Sequence, residues 1–210
     1  MYYINVIHYY IRKWIHDTPF AGPIADSLQC VYVEDNKRNG LTEEIKLRLN
    51  DSSKYDLPPL AIFPEGTTTN GTSLIEFKYG AFYPHFPVQP IAVKYKYKYY
   101  NPSYVTDKLI PYALKTAMQF RNEVELVFLP VVEPETEEEK TDVKVWATKN
   151  YKILAKELGV PEDRYCSRPQ KMLYLDYIRG KADFETTEQK INEIYNKRVE
   201  LLKQEKKHQE

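Results

Sequence analysis

Residues 62–82 read IFPEGTTTNGTSLIEFKYGAF, an apolar run that stops at Pro64 and gives way to groups able to hold something polar. Glu65 offers an acceptor for a hydroxyl, and Thr67, Thr68 and Thr69 offer hydroxyls that can donate to phosphate oxygens. Gly66 and Gly71 let backbone N–H groups come close to a ligand. Recognition of a phosphate- or hydroxyl-bearing molecule is the chemistry such a set supports. An ordinary polar turn uses the same residue types, and the letters alone leave both readings open. A nucleotide P-loop is ruled out, because no lysine directly follows the glycines. No Gly-x-Ser-x-Gly presents a hydrolase nucleophile either.

Other groups with chemical potential have plainer readings. His16 and Asp17 have the makings of a dyad, but neighbours on a helix point apart, which favours a surface pair. His85, in YPHFP, reads as a loop residue. In KYKYKYY, Lys94, Lys96 and Lys98 fall on one strand face and Tyr95, Tyr97 and Tyr99 on the other. That is a solvated strand face, or a surface suited to lipid headgroups. With 30 basic and 30 acidic residues there is no net field to attract nucleic acid. Cys30 and Cys166 are too few for a disulfide framework and fit a reducing compartment. Asn50-Asp-Ser and Asn70-Gly-Thr match the glycosylation sequon, a pattern short enough to recur by chance.

These groups need elements to hold them. Residues 1–20 read as a helix or a partly paired segment, interrupted by Arg12, Lys13, His16 and Asp17 before a signal peptide or spanning helix could form. No apolar run reaches the roughly 20 residues of a membrane span, and the expectation is a chain that sits on a membrane surface or has lost a membrane segment that preceded residue 1. Cys30, Val31, Tyr32 and Val33 predict a strand, and Asn39-Gly40 a turn. Thr42 caps a helix that carries Ile45 and Leu49 on one face. PLAIFP, residues 59–64, predicts a short strand buried on both faces. Residues 87–100 predict the next strand, with Pro90 marking an edge or bulge. A further strand covers 124–132, and an acidic solvated loop follows over 133–142. Val143, Ala147, Tyr151, Leu154 and Leu158 predict a helix stopped by Gly159 and Pro161. Strands separated by helices predict an α/β fold, a mainly parallel sheet flanked by helices. Residues 1–180 make that domain, and residues 181–210 make a charged C-terminal helical arm with Ile191, Ile194, Tyr195, Val199 and Leu202 as its apolar stripe.

FPEGTTTNG, LIEFKYGAF and FPVQPIAVKY, in this order and spacing, resemble the third and fourth motif blocks of the glycerolipid acyltransferase family. These are the lysophosphatidic acid acyltransferase-like enzymes, and the upstream PFAGPIADSLQCVYVED resembles the branch acting on lysophosphatidylcholine or lysophosphatidylethanolamine. The resemblance covers about residues 18 to 95 and continues more weakly to about 180. It implies transfer of an acyl group from acyl-CoA, a co-substrate, to a lysophospholipid hydroxyl in phospholipid biosynthesis or remodelling, with no cofactor and no metal. It implies that Phe63, Pro64, Glu65, Gly66, Thr67 and Thr68 bind the acceptor, with Glu65 orienting polar groups. Val88, Gln89, Pro90 and Ile91 would support the pocket. The partners implied are lysophospholipid, acyl-CoA and a membrane surface, at the cytoplasmic face of the endoplasmic reticulum.

Two departures stand out. The family's His-x4-Asp block supplies the base for the hydroxyl, yet here Lys13 follows His8 at that distance, Ala21 follows His16, Pro90 follows His85, and His208 lies at the tail. No catalytic residue is assigned in this chain, which by itself is expected to be inactive. In family order that block precedes PFAGPIADSLQC, so the chain is expected to be a fragment or short gene model that begins after it. The alternative is a non-catalytic lipid- or partner-binding module that kept the fold. The second block usually closes with an arginine that meets the acceptor phosphate, and Asp35 takes that place, with Lys37 or Arg38 available from a shifted register.

Overall fold

The computed structural model describes residues 10–12, 16–17, 21–27, 31–33, 45–46, 60–103, 109–161 and 167–207. Asp35, Lys37, Arg38, the Asn39-Gly40 turn and both cysteines lie outside them. The chain divides into two compact units. The first contains Met1–Gly66, Phe77–Ala92 and Val127–Leu154, and the second Thr67–Glu76, Val93–Leu126 and Ala155–Glu210.

In the first unit, β1 (Tyr10–Arg12) pairs in parallel with β2 (Val31–Val33), with Tyr10 opposite Val31 and Arg12 opposite Val33. Parallel neighbours need a crossover, and α1 (Ala21–Ser27) lies between them. Gly22 in α1 allows a close approach: a Cβ there would sit 2.1 Å from the backbone oxygen of His16. Residues 45–46 are helical and Ile45 is buried, while the rest of the helix expected after Thr42 lies outside the described residues.

The core of this unit is built on α4 (Val143–Leu158), whose first three turns belong to it. Trp146, Ala147, Asn150 and Tyr151 recur at the spacing of one helix face and are buried. Phe77 meets the Tyr151 ring edge-on at 5.1 Å between centroids and stacks on Phe82 at 6.1 Å. Ahead of α4, the acidic run expected as a loop folds into α3 (Glu137–Thr141). The cause is a capping box, in which Thr136 Oγ1 accepts from Glu139 N at 3.1 Å and Glu139 Oε2 accepts from Thr136 N at 3.3 Å.

In the second unit, α2 (Leu109–Ala117) lies between β3 (Ile91–Lys96) and β4 (Glu123–Phe128), two strands that pair with each other and cross the boundary between units. α5 (Arg168–Ile178) and α6 (Phe184–Lys207) pack as a helical hairpin. Gln170 Oε1 accepts from Ser167 N at the start of α5, and Asp183 Oδ1 accepts from Thr186 N at the start of α6, both at 2.8 Å. The C-terminal helix expected from the thin apolar stripe is therefore present as α6.

The expected mainly parallel sheet is met only in part. Among the described residues there is one parallel pair, β1–β2, and one antiparallel ribbon, β3–β4, extended by an antiparallel bridge between Val88 and Val132. A helix lies between β3 and β4, yet the chain returns antiparallel, so alternation of strand and helix did not dictate a parallel crossover. PLAIFP is not a strand over its described residues 60–63. Its bounding prolines lack the N–H a ladder needs, and Pro64 is drawn into a turn. Among the described residues no helix is long and apolar enough to cross a membrane.

Candidate functional site

The loop read first in the sequence begins in the first unit with a turn. Gly66 N donates to Phe63 O at 3.0 Å, and Pro64 sits at the first corner, where its ring presets φ. Gly66 has φ +57°, a left-handed conformation that a side chain disfavours. Lys78 N donates to Pro64 O at 2.8 Å, so the chain returns to where it left, as in an Ω-loop. Phe63 is 58% exposed, and Glu65 is half-buried at the second corner of the turn.

The loop body, Thr67–Glu76, belongs to the second unit, and most of its polar groups hold it together. Asn70 Oδ1 accepts from Thr72 N at 3.2 Å and from Thr72 Oγ1 at 2.8 Å. Gly71 N donates to Thr69 Oγ1 at 3.4 Å, and Asn101 Nδ2 donates to Asn70 O at 3.0 Å. Leu74 and Ile75 are buried beneath. Glu76 accepts from Arg198 of α6 at 2.7 Å, a pair whose side chains are 35% and 19% exposed. Thr67 is held differently: Lys171 Nζ of α5 donates to its Oγ1 at 2.6 Å and also to Thr68 O.

The other predicted segment is tied to the stretch that follows β4. Val88 exchanges backbone hydrogen bonds with Val132 at 2.9 and 2.8 Å, and Gln89 Nε2 donates to Leu129 O at 3.1 Å. Buried Pro90 accepts from Leu129 N at 3.0 Å and separates that bridge from β3, which starts at Ile91. Pro90 thus marks the break that its missing N–H requires. Phe63, Pro64, Glu65 and Gly66 share the first unit with Val88, Gln89, Pro90 and Ile91, while Thr67 and Thr68 are counted with the second.

The remaining candidates fall as their plainer readings had them. His16 is exposed, with Nδ1 3.2 Å from Asp17 and Nε2 3.7 Å from Asp26. His85 takes a left-handed φ of +53° and donates from Nδ1 to Glu139 O at 2.8 Å. Lys94 pairs with Glu157 at 2.6 Å, and Lys96 with Glu125 at 3.2 Å and Glu123 at 3.6 Å. Hydrogen bonding to Glu125, and its charge, hold the Lys96 ammonium above its ordinary pKa. Among the described residues no three His, Cys, Asp or Glu converge as a metal site would.

Sequence reasoning missed Lys171 and Arg198: no helix was expected over 168–178, and Arg198 lies in the charged C-terminal arm beside the stripe residue Val199. The Glu139 cluster was missed as well, although the capping-box spacing Thr136-x-x-Glu139 could have signalled it. Its carboxylate, 11% exposed, accepts from Glu135 N at 2.7 Å and Lys149 Nζ at 3.0 Å. Burial pushes the Glu139 pKa up, but the bonds from Glu135, Lys149 and Thr136 outweigh it and hold it below the ordinary value.

Residues 3–94 match the Acyltransferase family model, a span that includes the loop and Val88–Ile91. The chain is 39% identical over 156 residues to lysophosphatidylcholine acyltransferase of Drosophila melanogaster, and 40% identical over 156 residues to lysophosphatidylcholine acyltransferase 1 of Rattus norvegicus. Each comparison covers 71% of this chain and 28% of the relative. Lysophospholipid acyltransferase LPEAT2 of Arabidopsis thaliana is 34% identical over 154 residues, 68% of this chain and 28% of its own length. The chain thus spans just over a quarter of these relatives. No solved structure matches it. Residues 3–94 thus carry the acyltransferase family's domain, and the chain is similar to lysophospholipid acyltransferases over some seven-tenths of its length.

Proposed function

We propose that this chain is the acceptor-binding part of a lysophospholipid acyltransferase of phospholipid biosynthesis or remodelling. The whole enzyme would join the free hydroxyl of a lysophospholipid to the acyl group of acyl-CoA. The hydroxyl oxygen attacks the thioester carbonyl, a C–O bond forms, the C–S bond breaks, and coenzyme A leaves as the thiol with the hydroxyl's proton. The observation that carries the reading is the Phe63–Gly66 turn, clasped where Lys78 N donates to Pro64 O, which bears the Glu65 carboxylate and is followed in sequence by Thr67 and Thr68. Glu65 accepts from the acceptor's glycerol portion, Thr67 and Thr68 meet its phosphate, and Phe63 and Pro64 offer apolar surface to its chain. Val88, Gln89, Pro90 and Ile91 brace the pocket.

A hydroxyl needs a general base near neutral pH. None of the four histidines here is followed by aspartate at the family's spacing, so this chain binds acceptor without transferring acyl groups. The same observation favours a second reading, a non-catalytic lipid-binding module. The proposed setting is a membrane surface, the cytoplasmic face of the endoplasmic reticulum. Support for a surface role comes from Ile110, Leu114, Met118 and Phe120, which are 59–106% exposed, with exposed Tyr97, Lys98 and Tyr99 nearby in sequence.

Titration of the 210-residue chain with hexanoyl-lysophosphatidylcholine, below micelle formation, tests the reading. Glu65→Gln should weaken binding about ten-fold, the loss of one charge-assisted hydrogen bond. Unchanged binding removes Glu65 from the site. Acyl-CoA turnover by the chain that disappears in His16→Ala or His85→Ala would overturn the assignment of binding without transfer.

A further inference from the structure

We propose that Lys171, on α5 and 104 residues from the motif, is the positioning residue that makes Thr67 a hydrogen-bond donor to an anionic phosphate. This rests on the loop being the acceptor site. A lysine ammonium carries donors only, so Thr67 Oγ1 must accept from it at 2.6 Å. The hydroxyl's own proton is thereby turned away from Lys171, toward an acceptor elsewhere. Phosphodiester oxygens are acceptors with no proton to offer, and they match that requirement. The same ammonium binds Thr68 O, which fixes the Thr68–Thr69 peptide plane and hence the direction of the N–H beyond it.

The surrounding hydrogen bonds set Thr67 apart. Thr69 and Thr72 are engaged in folding the loop around Asn70 and Gly71. Glu76 is engaged by Arg198. The α5–α6 hairpin therefore reaches the loop body at two points with different consequences. Arg198 meets a carboxylate and balances charge, whereas Lys171 meets a hydroxyl and directs it.

The test compares two soluble probes on the 210-residue chain. Hexanoyl-lysophosphatidylcholine carries the phosphodiester, and monohexanoylglycerol lacks it. The native chain should prefer the phosphodiester about ten-fold, the size of one charge-assisted hydrogen bond. Lys171→Met should erase that preference while leaving affinity for the neutral probe in place, and Lys171→Arg should restore much of it. A residue serving only to hold the fold would weaken both probes together. Thr67→Val keeps the ammonium but removes the directed hydroxyl, and should lose the preference as well. That variant carries the test if Lys171→Met does not fold. A Lys171→Met chain that keeps the preference, or binds the phosphodiester more tightly, overturns the proposal. Equal binding of both probes by the native chain overturns it while the acceptor-site reading stands. Binding of neither probe overturns both.

Discussion

Replacing Gly66 with alanine perturbs the turn on which the motif loop starts. Gly66 has φ +57° and donates to Phe63 O at 3.0 Å. A Cβ in the left-handed region costs about 1–2 kcal/mol, because it crowds the following carbonyl. Alanine also restricts the unfolded chain, which returns about 0.4–1 kcal/mol. The net expectation is a loss of about 1 kcal/mol for Gly66→Ala, taking the difference of those two effects. Asparagine tolerates the left-handed region better, so Gly66→Asn should be milder, and β-branched Gly66→Val should be the most damaging. Urea unfolding followed by the fluorescence of buried Trp146 gives the order directly. Hexanoyl-lysophosphatidylcholine binding should fall in the same order, because relaxing the turn shifts Thr67. An alanine variant as stable as the native chain, or a valine variant more stable than the asparagine one, would refute the conformational argument.

Two further predictions concern what holds the first unit. Glu139 has a pKa held below the ordinary 4.5, so its contribution to stability is complete above that value and is lost as pH falls through the depressed one. Glu139→Gln keeps the cap acceptor but loses the charge facing Lys149 and the backbone N–H groups, and should therefore cost about 1 kcal/mol at pH 7, with the difference from the native chain closing in urea titrations as pH falls below the ordinary carboxylate range. Tyr151→Ala removes a ring that is 1% exposed and meets Phe77 edge-on, and should cost about 3–5 kcal/mol by thermal or chemical unfolding.

How much was legible in the sequence follows from the range of the forces involved. The 3.6-residue spacing of Ala147 and Tyr151 gave α4, and the strand expected over 87–100 was found as β3, which ends at Lys96 and takes in only the first three residues of KYKYKYY. Pro90 announced its break by lacking an N–H. The acidic run hid α3, since repeated like charge suggested a solvated loop while Thr136 and Glu139 satisfied each other's backbone N–H groups. Strand direction was not legible, because the pairing of β3 with β4 is settled far along the chain. In the candidate site, the turn at Pro64 and Gly66 and the abundance of hydroxyls were plain. Their division of labour was not. Only the contact of Lys171 distinguishes Thr67 from Thr69 and Thr72, and that contact joins residues 104 positions apart.

The central claim is that a lysophospholipid binds at Phe63–Thr68. A lysophosphatidylcholine bearing a diazirine beside its glycerol hydroxyl, photolysed on the chain and mapped by peptide mass spectrometry, tests it most directly. The account predicts an adduct within residues 63–68 that excess unlabelled lysophosphatidylcholine suppresses and Glu65→Gln diminishes. Competable labelling confined to other segments, with residues 63–68 unmodified, would contradict it.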